Sequence, residues 1–435
     1  MLPMNEHGRN CKIIYVLLDG VGDLAHPNFG NTTPLEAANT PNLDFLASKG
    51  CMGNVLSVGK GIAPQSDIAV FNMLGYSFRD GSYVGRGVIE AIGSGIDFKN
   101  GDLALRGNFA TVDSDGRILD RRAGRNIQAS EARELCNSLN NTIKFSDPDV
   151  SISIVPTISH RVVISLRHAK HSLSEKISNT DPAYTKVNGI GIAKASSSYE
   201  RILESRPEDN SDAAILSANL VNEFTTQSLE VLRDHPVNKT RSASGSKNIN
   251  GILTRDSGNK YPNLESMYSR YGLNFGAIVD MPVEVGISSV LGMKMFRAGN
   301  VQDYQVKALH AIDRLEELDA MYIHIKGPDE FGHDGDWEGK KNNIEAIDRL
   351  FFGPLVDRKD IEDTLIVVSG DHSTPCIKNS HSDDPVPVLF SGCSVKSDGS
   401  ERFTEYWGQR GKIGLVLGEQ VLNQILAYRS KNKAY

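Results

Sequence analysis

Basic excess, long apolar runs and clustered cysteine are all missing from this sequence. Lys and Arg total 47 against 54 Asp and Glu, a formal net charge of −7. That balance argues against nucleic acid and against an anionic membrane as partners, while a local basic pocket could still take a small anion. The first twelve residues are polar, and the apolar run behind them extends only from Ile13 to Leu18. Neither a signal peptide nor a membrane span is expected from it. The five cysteines, Cys11, Cys51, Cys136, Cys376 and Cys393, are scattered, odd in number and without a CxxC pair. A reducing cytoplasm and no disulfide framework are the expectation. No internal repeat is present. What remains, at 435 residues with 39% hydrophobic and 23% charged content, is a globular chain longer than one usual domain: a large α/β domain with an insertion, or two domains.

The pattern that is there alternates strands with helices. Ile13 to Leu18 predicts a strand ending at Asp19-Gly20. Thr40-Pro41 to Gly50 predicts a helix with a proline start and a glycine stop. Gly53 to Val58 predicts a strand, followed by the turn-rich loop Gly59 to Ser66 and a helix from Asp67 to Leu74. Further on come the helix Ser211 to His235, stopped by Pro236, and strands Phe275 to Val279, Ala320 to Ile325, Thr364 to Ser369 and Val386 to Phe390. Helices Val283 to Gly292, Asp303 to Leu318, Glu338 to Phe352 and Glu419 to Tyr428 fall between or after them. Such alternation predicts an α/β fold, a doubly wound and mostly parallel sheet. The rhythm breaks between Asp97 and Leu166, where strands Leu103 to Val112, Ser151 to Val155 and Arg161 to Leu166 surround a helix near Ser130 to Asn140. We expect a smaller α+β lid domain inserted at residues 111–190, with the core formed by 1–110 and 191–435. Ala193 to Asn210, with Ser196-Ser197-Ser198, and Lys239 to Asn250 read as exposed loops.

The chemistry collects at four strand ends. Asp19 follows the first strand, Ser66 opens the helix after the second, and Asp329 and His333 follow Ala320 to Ile325. Asp371, His372 and His381 follow Thr364 to Ser369. Ligands of open α/β sheets bind beyond the carboxyl ends of the strands. Three Asp and three His delivered there are hard or borderline metal ligands, and turn-making does not account for all six. Asp329 and His333 share a helix face if that segment is helical. Ser66 has two readings: an N-cap bonded to the amide near Ala69, or a nucleophile activated by a metal at a helix N-terminus that favours anions.

Five motifs, in order, carry a resemblance. Leu18-Asp19-Gly20-Val21-Gly22-Asp23, Ala63-Pro64-Gln65-Ser66-Asp67-Ile68-Ala69, Lys326-Gly-Pro-Asp329-Glu-Phe-Gly-His333-Asp334-Gly335, Gly370-Asp371-His372-Ser373-Thr374-Pro375 and His381-Ser-Asp-Asp-Pro385 are similar to the archaeal-type 2,3-bisphosphoglycerate-independent phosphoglycerate mutases of the alkaline phosphatase superfamily. Arg106-Gly-Asn-Phe-Ala110 and Asp120-Arg-Arg-Ala-Gly-Arg125 resemble that family too. Gln65 stands where the family commonly has glycine, and the loop Lys239 to Asn250 is longer and more polar.

The resemblance implies an isomerase that moves the phosphoryl group of 3-phosphoglycerate to the 2-position through phosphoserine at Ser66, in glycolysis and gluconeogenesis. Asp19, Ser66, Asp371 and His372 would hold one divalent ion, and Asp329, His333 and His381 a second. Mn²⁺ is the first choice on ligand type, with Zn²⁺, Co²⁺ and Mg²⁺ compatible. Arg106, Arg121, Arg125 and Arg161 are the expected grips for glycerate, because guanidinium matches carboxylate and phosphate. Lys326 and Asp120 are weaker candidates for substrate contact. The partner is a small phosphoglycerate, with no nucleic acid and no membrane, and the oligomeric state is left open. A two-metal phosphatase or phosphonate hydrolase is the alternative from the same superfamily.

Overall fold

Lys12-Ile-Ile-Tyr-Val-Leu-Leu18 is apolar on both faces, and a strand of that composition is stable only where helices cover the sheet on each side. A computed structural model, which describes residues 11–78, 82–187, 190–193, 201–358, 363–393 and 395–430, buries it so. In chain order the strands are β1 (Lys12–Leu18), β2 (Cys51–Leu56), β3 (Leu103–Val112), β4 (Ile118–Asp120), β5 (Val150–Pro156), β6 (Arg161–His168), β7 (Tyr184–Val187), β8 (Ile190–Ala193), β9 (Gly251–Gly258), β10 (Phe275–Ile278), β11 (Lys294–Phe296), β12 (Ala320–Ile325), β13 (Thr364–Gly370), β14 (Val386–Ser391) and β15 (Gly414–Leu417).

Two compact units divide the chain. The first comprises Met1–Phe78, Glu265–Asp280 and Ser288–Tyr435. Its sheet runs β11-β10-β12-β1-β13-β14-β2-β15. The pairings are parallel except that β14 opposes both β13 and β2. The expected α/β, mostly parallel sheet is therefore present. Ile14, Val16, Leu18, Ile323, Ile325, Ile366 and Val368 point into one core with Phe351, Phe352 and Leu355 from the covering helices. Register matters most for function. Leu18 sits level with Ile325 of β12 and with Gly370 of β13, so Asp19, Lys326 and Asp371 leave the sheet side by side at one edge.

The second unit comprises Arg79–Leu264 and Met281–Ile287. Its antiparallel sheet has the order β4-β3-β6-β5, with β9 paired to β3. Helices Ala129–Thr142 and Asp212–Arg233 pack their apolar faces on it through Leu135, Leu139, Leu220 and Phe224. This corrects the expected boundaries of 111–190. β3 is the central strand of the smaller sheet, and the unit is finished by a helix and a strand that the sequence reading gave to the core. β9 escaped notice because Gly251-Ile-Leu-Thr-Arg-Asp-Ser-Gly258 carries charge at its middle and turn residues around it. The loop expected from Lys239 is also partly wrong. One helix ends at Arg233, and Pro236 is the first residue of the next, Pro236–Ala243, whose Val237 amide donates to the His235 side chain; proline is suited to that position. The Ser196 to Ser198 segment lies outside the described residues.

The cysteine expectation fails as well. Cys11, just before β1, and Cys393, just after β14, form a disulfide across a sequence separation of 382. Spacing could not reveal it, since the two meet only because β14 runs antiparallel and returns to the amino end of β1. Among the described residues no helix is long and apolar enough to cross a membrane.

Candidate active site: a carboxylate and imidazole cluster

All seven residues expected to hold metal belong to the first unit, and its strand ends bring them together. Ser66 is the first residue of helix Ser66–Met73, with Gln65 as its N-cap. The Ala69 amide bonds to the Gln65 carbonyl, and the Ser66 hydroxyl turns to His372 Nε2 at 3.2 Å. The capping reading of Ser66 is thereby set aside. Asp329 and His333 do share a helix, Pro328–Asp334, with His333 Nε2 3.6 Å from Asp329 Oδ2. His381 Nε2 approaches the other oxygen of Asp329 at 3.3 Å. Asp19 Oδ1 and Asp371 Oδ2 lie 3.6 and 3.4 Å from His372 Nε2. Three groupings have donor atoms within 4.8 Å of one another: Asp329, His333 and His381; Asp19, Asp329 and His372; and Asp19, His324 and Asp371.

The outer contacts aim the imidazoles. His381 Nδ1 donates to the Pro64 carbonyl at 2.7 Å, and His333 Nδ1 to the Asn379 carbonyl at 3.2 Å. Each therefore presents Nε2 inward, as ligating histidines do. Asp371 is fixed through Oδ1, which accepts from the amides of Gly20 and His372 at 3.0 Å each.

Burial works against charge throughout the cluster. It raises Asp19 to about 7, with repulsion from Asp371 and Asp329 added and the attraction of Lys326 set against it. It pushes His372 down to about 3, so that this imidazole is neutral near pH 7. At Asp329 burial is outweighed by the hydrogen bond from His381 and the neighbouring imidazoles, which hold the carboxyl well below its ordinary range. Two buried carboxylate oxygens, Asp19 Oδ1 and Asp371 Oδ2, accept no hydrogen bond among the described residues. Buried unsatisfied carboxylates that face each other are costly. A divalent cation offsets that cost, and the oxygen and imidazole donor set is the one such cations take.

Sequence reasoning missed two members. His324 is wholly buried on β12, with Nε2 3.5 Å from Asp371 Oδ2; a histidine inside the apolar run Ala320-Met-Tyr-Ile-His-Ile325 was the available signal. Lys340 is also wholly buried, and its ammonium meets Asp23 Oδ2 at 2.8 Å and the carbonyls of Gly22 and Thr374 at 3.0 and 2.9 Å. Lys326, expected as a substrate contact, bonds Asp19 Oδ2 at 2.9 Å.

The remaining expected residues form a separate group in the second unit. Arg106 of β3 bonds Glu90 and Asp256 at 3.0 Å each. Arg255, which the sequence reading passed over, sits directly across from it on β9. Arg121 grips Asp181 with three bonds, at 2.6, 2.9 and 3.2 Å, and Arg121 and Arg255 both lie over the Tyr184 ring. Arg86 pairs with Glu90 at 2.8 Å, and Arg161 feels the charges of Arg106, Arg86 and Arg255. Five arginines stand with Glu90, Asp181 and Asp256 among the described residues. Like charges opposed across strands are unfavourable, and an anion relieves them. Arg125 is exposed at φ 56°. Asp120 is occupied by Lys247 at 2.6 Å and by the Arg122 amide at 2.8 Å.

Residues 47–238 match the sequence profile of the 2,3-bisphosphoglycerate-independent phosphoglycerate mutases. A 2,3-bisphosphoglycerate-independent phosphoglycerate mutase of Aeropyrum pernix is 42% identical over 94% of this chain and 96% of its own length. Among solved structures, a protein of Pyrococcus horikoshii has a TM-score of 0.78 at 27% identity, over 97% of this chain and 98% of its own. A cofactor-independent phosphoglycerate mutase of Thermoplasma acidophilum has a TM-score of 0.65 at 29% identity, over 96% and 100%.

Proposed function

The chain belongs to the family of 2,3-bisphosphoglycerate-independent phosphoglycerate mutases, isomerases by name, and from that membership we propose how its own residues act. The reaction is the interconversion of 3-phosphoglycerate and 2-phosphoglycerate through a phosphoserine at residue 66. One observation carries the reading: Ser66 Oγ, at the first position of a helix, turns into the Asp and His cluster rather than toward its own backbone. Two divalent ions, Mn²⁺ before Zn²⁺, Co²⁺ or Mg²⁺, would be held by Asp19, Ser66, Asp371 and His372 and by Asp329, His333 and His381, and would neutralise phosphoryl oxygens and acidify the serine hydroxyl.

The steps balance without a second substrate. In the first, the bond from Ser66 Oγ to phosphorus forms as the bond from phosphorus to the 3-oxygen breaks, and the serine proton ends on the 3-hydroxyl of glycerate. In the second, the 2-oxygen takes the phosphoryl group and its proton returns to Ser66. The free amides at the start of the helix Ser66–Met73 favour the anion at both stages. We assign Arg106, Arg121, Arg161 and Arg255 to the carboxylate and hydroxyls of glycerate, with Arg125, Asp120 and Lys326 as further substrate contacts. Retention of glycerate during its turn is the part expected of the second unit. The cytoplasm is the proposed location, and the Cys11–Cys393 bond does not exclude it, since disulfides occur in intracellular proteins of hyperthermophiles.

The test is an enolase-coupled assay on 3-phosphoglycerate with metal-stripped protein, Mn²⁺ added back and no bisphosphoglycerate. Turnover should return with metal and fall on the order of 10⁴-fold or more in Ser66→Ala. Free phosphate without 2-phosphoglycerate would assign the chain to the hydrolases instead.

A further inference from the structure

Two of the three histidines proposed as metal ligands send Nδ1 to a backbone carbonyl; the third does not. His372 Nδ1 lies 3.1 Å from the hydroxyl of Thr374. The same Oγ1 lies 2.6 Å from Asp329 Oδ1. A hydroxyl owns one proton and two lone pairs, and an ionised carboxylate only accepts. The Thr374 proton is therefore committed to Asp329, and Oγ1 receives its hydrogen bond from Nδ1–H of His372. That order of donors fixes the tautomer of His372. Nε2 is left with its lone pair, aimed at Asp19, Asp371 and Ser66.

We infer that Thr374 is a positioning residue that couples the two halves of the metal site, orienting a ligand of one ion and a ligand of the other through a single hydroxyl. The inference rests on the two-ion reading above. Its geometry is over-determined. The Thr374 amide donates to the Gly22 carbonyl at 3.0 Å, and its carbonyl accepts from Lys340 at 2.9 Å. Room for the hydroxyl is kept by Gly20, at φ +61°, where a Cβ would come within 2.7 Å of Thr374 Oγ1 and 2.8 Å of Asp329. Serine can replace threonine in this chain of bonds. Valine, with the same shape, cannot.

The measurement is Mn²⁺ binding to metal-stripped protein by calorimetry, with no substrate and no turnover. Thr374→Val should weaken binding at both sites, on the order of 10-fold to 100-fold, the usual cost of losing an outer partner of a ligand. Thr374→Ser should restore wild-type affinity. Histidine ¹⁵N spectra of the stripped protein give a second readout: a single Nδ1–H tautomer at His372 in wild type and Thr374→Ser, and a mixture in Thr374→Val. If Thr374→Val does not fold, Thr374→Ala replaces it, leaving space where valine fills it. Binding within twofold of wild type at both sites in a hydroxyl-free variant would overturn the inference, as would a Thr374→Ser as weak as Thr374→Val. A wild type that binds no divalent ion would overturn the two-ion reading along with it, and that outcome is distinct from either.

Discussion

Replacing Lys340 by Met should destabilise the first unit far beyond what the loss of an ordinary surface lysine does. The ammonium is wholly buried and all three of its protons are used, on Asp23 Oδ2 at 2.8 Å and on the carbonyls of Gly22 and Thr374 at 3.0 and 2.9 Å. Methionine fills the space but donates nothing. Asp23, itself buried, would keep the Cys376 and Leu24 amides but no cation in hydrogen-bond contact among the described residues. Breaking one side of a buried pair costs about 3 to 5 kcal/mol, against about 1 kcal/mol or less at a surface. Both tryptophans, Trp337 and Trp407, belong to the first unit, so urea unfolding followed by their fluorescence reports on it alone. The loops that Lys340 ties also carry Asp19 and His372, and Mn²⁺ affinity should fall with stability. In a cycle with Asp23→Asn, the double variant should cost less than the two single variants together, by about 2 kcal/mol or more. A Lys340→Met protein within about 1 kcal/mol of wild type would refute the reasoning.

The disulfide should stabilise without touching the chemistry, because it lies at the amino end of β1 and the ligands lie at the other. Chain-entropy arithmetic for a 382-residue separation gives an upper figure of about 6 kcal/mol. Reductant, or Cys393→Ser, should lower the tryptophan-reported unfolding midpoint while Mn²⁺-loaded turnover stays unchanged; a midpoint that ignores reductant would mean the bond contributes nothing. Glu405 is buried, and burial raises its carboxyl from 4.5 to about 7, with the charges of Glu36 and Asp23 adding to it. The folded state thus holds this proton more tightly than the unfolded chain. Its contribution is complete below pH 4.5 and is lost as pH rises through 7, up to about 3 kcal/mol. Glu405→Gln should flatten that decline in thermal midpoints between pH 5 and 8, and an unaltered slope would show the group titrates normally.

Sequence showed six of the eight strands of the first unit's sheet, missing the short edge strands β11 and β15, and every proposed metal ligand, because these follow local rules. Buried strands are short apolar runs, and the residues just past their carboxyl ends are where ligands bind. Ser66 was readable as a place but not as a role, since a serine at a helix start caps more often than it reacts. Only the direction of its hydroxyl separates the two. His324 left a signal, a histidine within an apolar strand, but its partners Asp19 and Asp371, like those of Lys340 and the Asp329 that Thr374 bonds, lie far away in sequence and could not be read from it. The pairing of Arg106 with Arg255 depended on β9 lying beside β3, which no spacing encodes. The boundaries of the second unit failed for the same reason: its sheet is completed by a strand that returns after the helix Asp212–Arg233.

The most direct test of the account is to mix Mn²⁺-loaded protein with 3-phosphoglycerate, quench in acid and look for phosphate on the peptide that contains Ser66. The account predicts a phosphoryl group on Ser66, drawn from the substrate and absent in Ser66→Ala. Turnover to 2-phosphoglycerate with Ser66 never phosphorylated would contradict it.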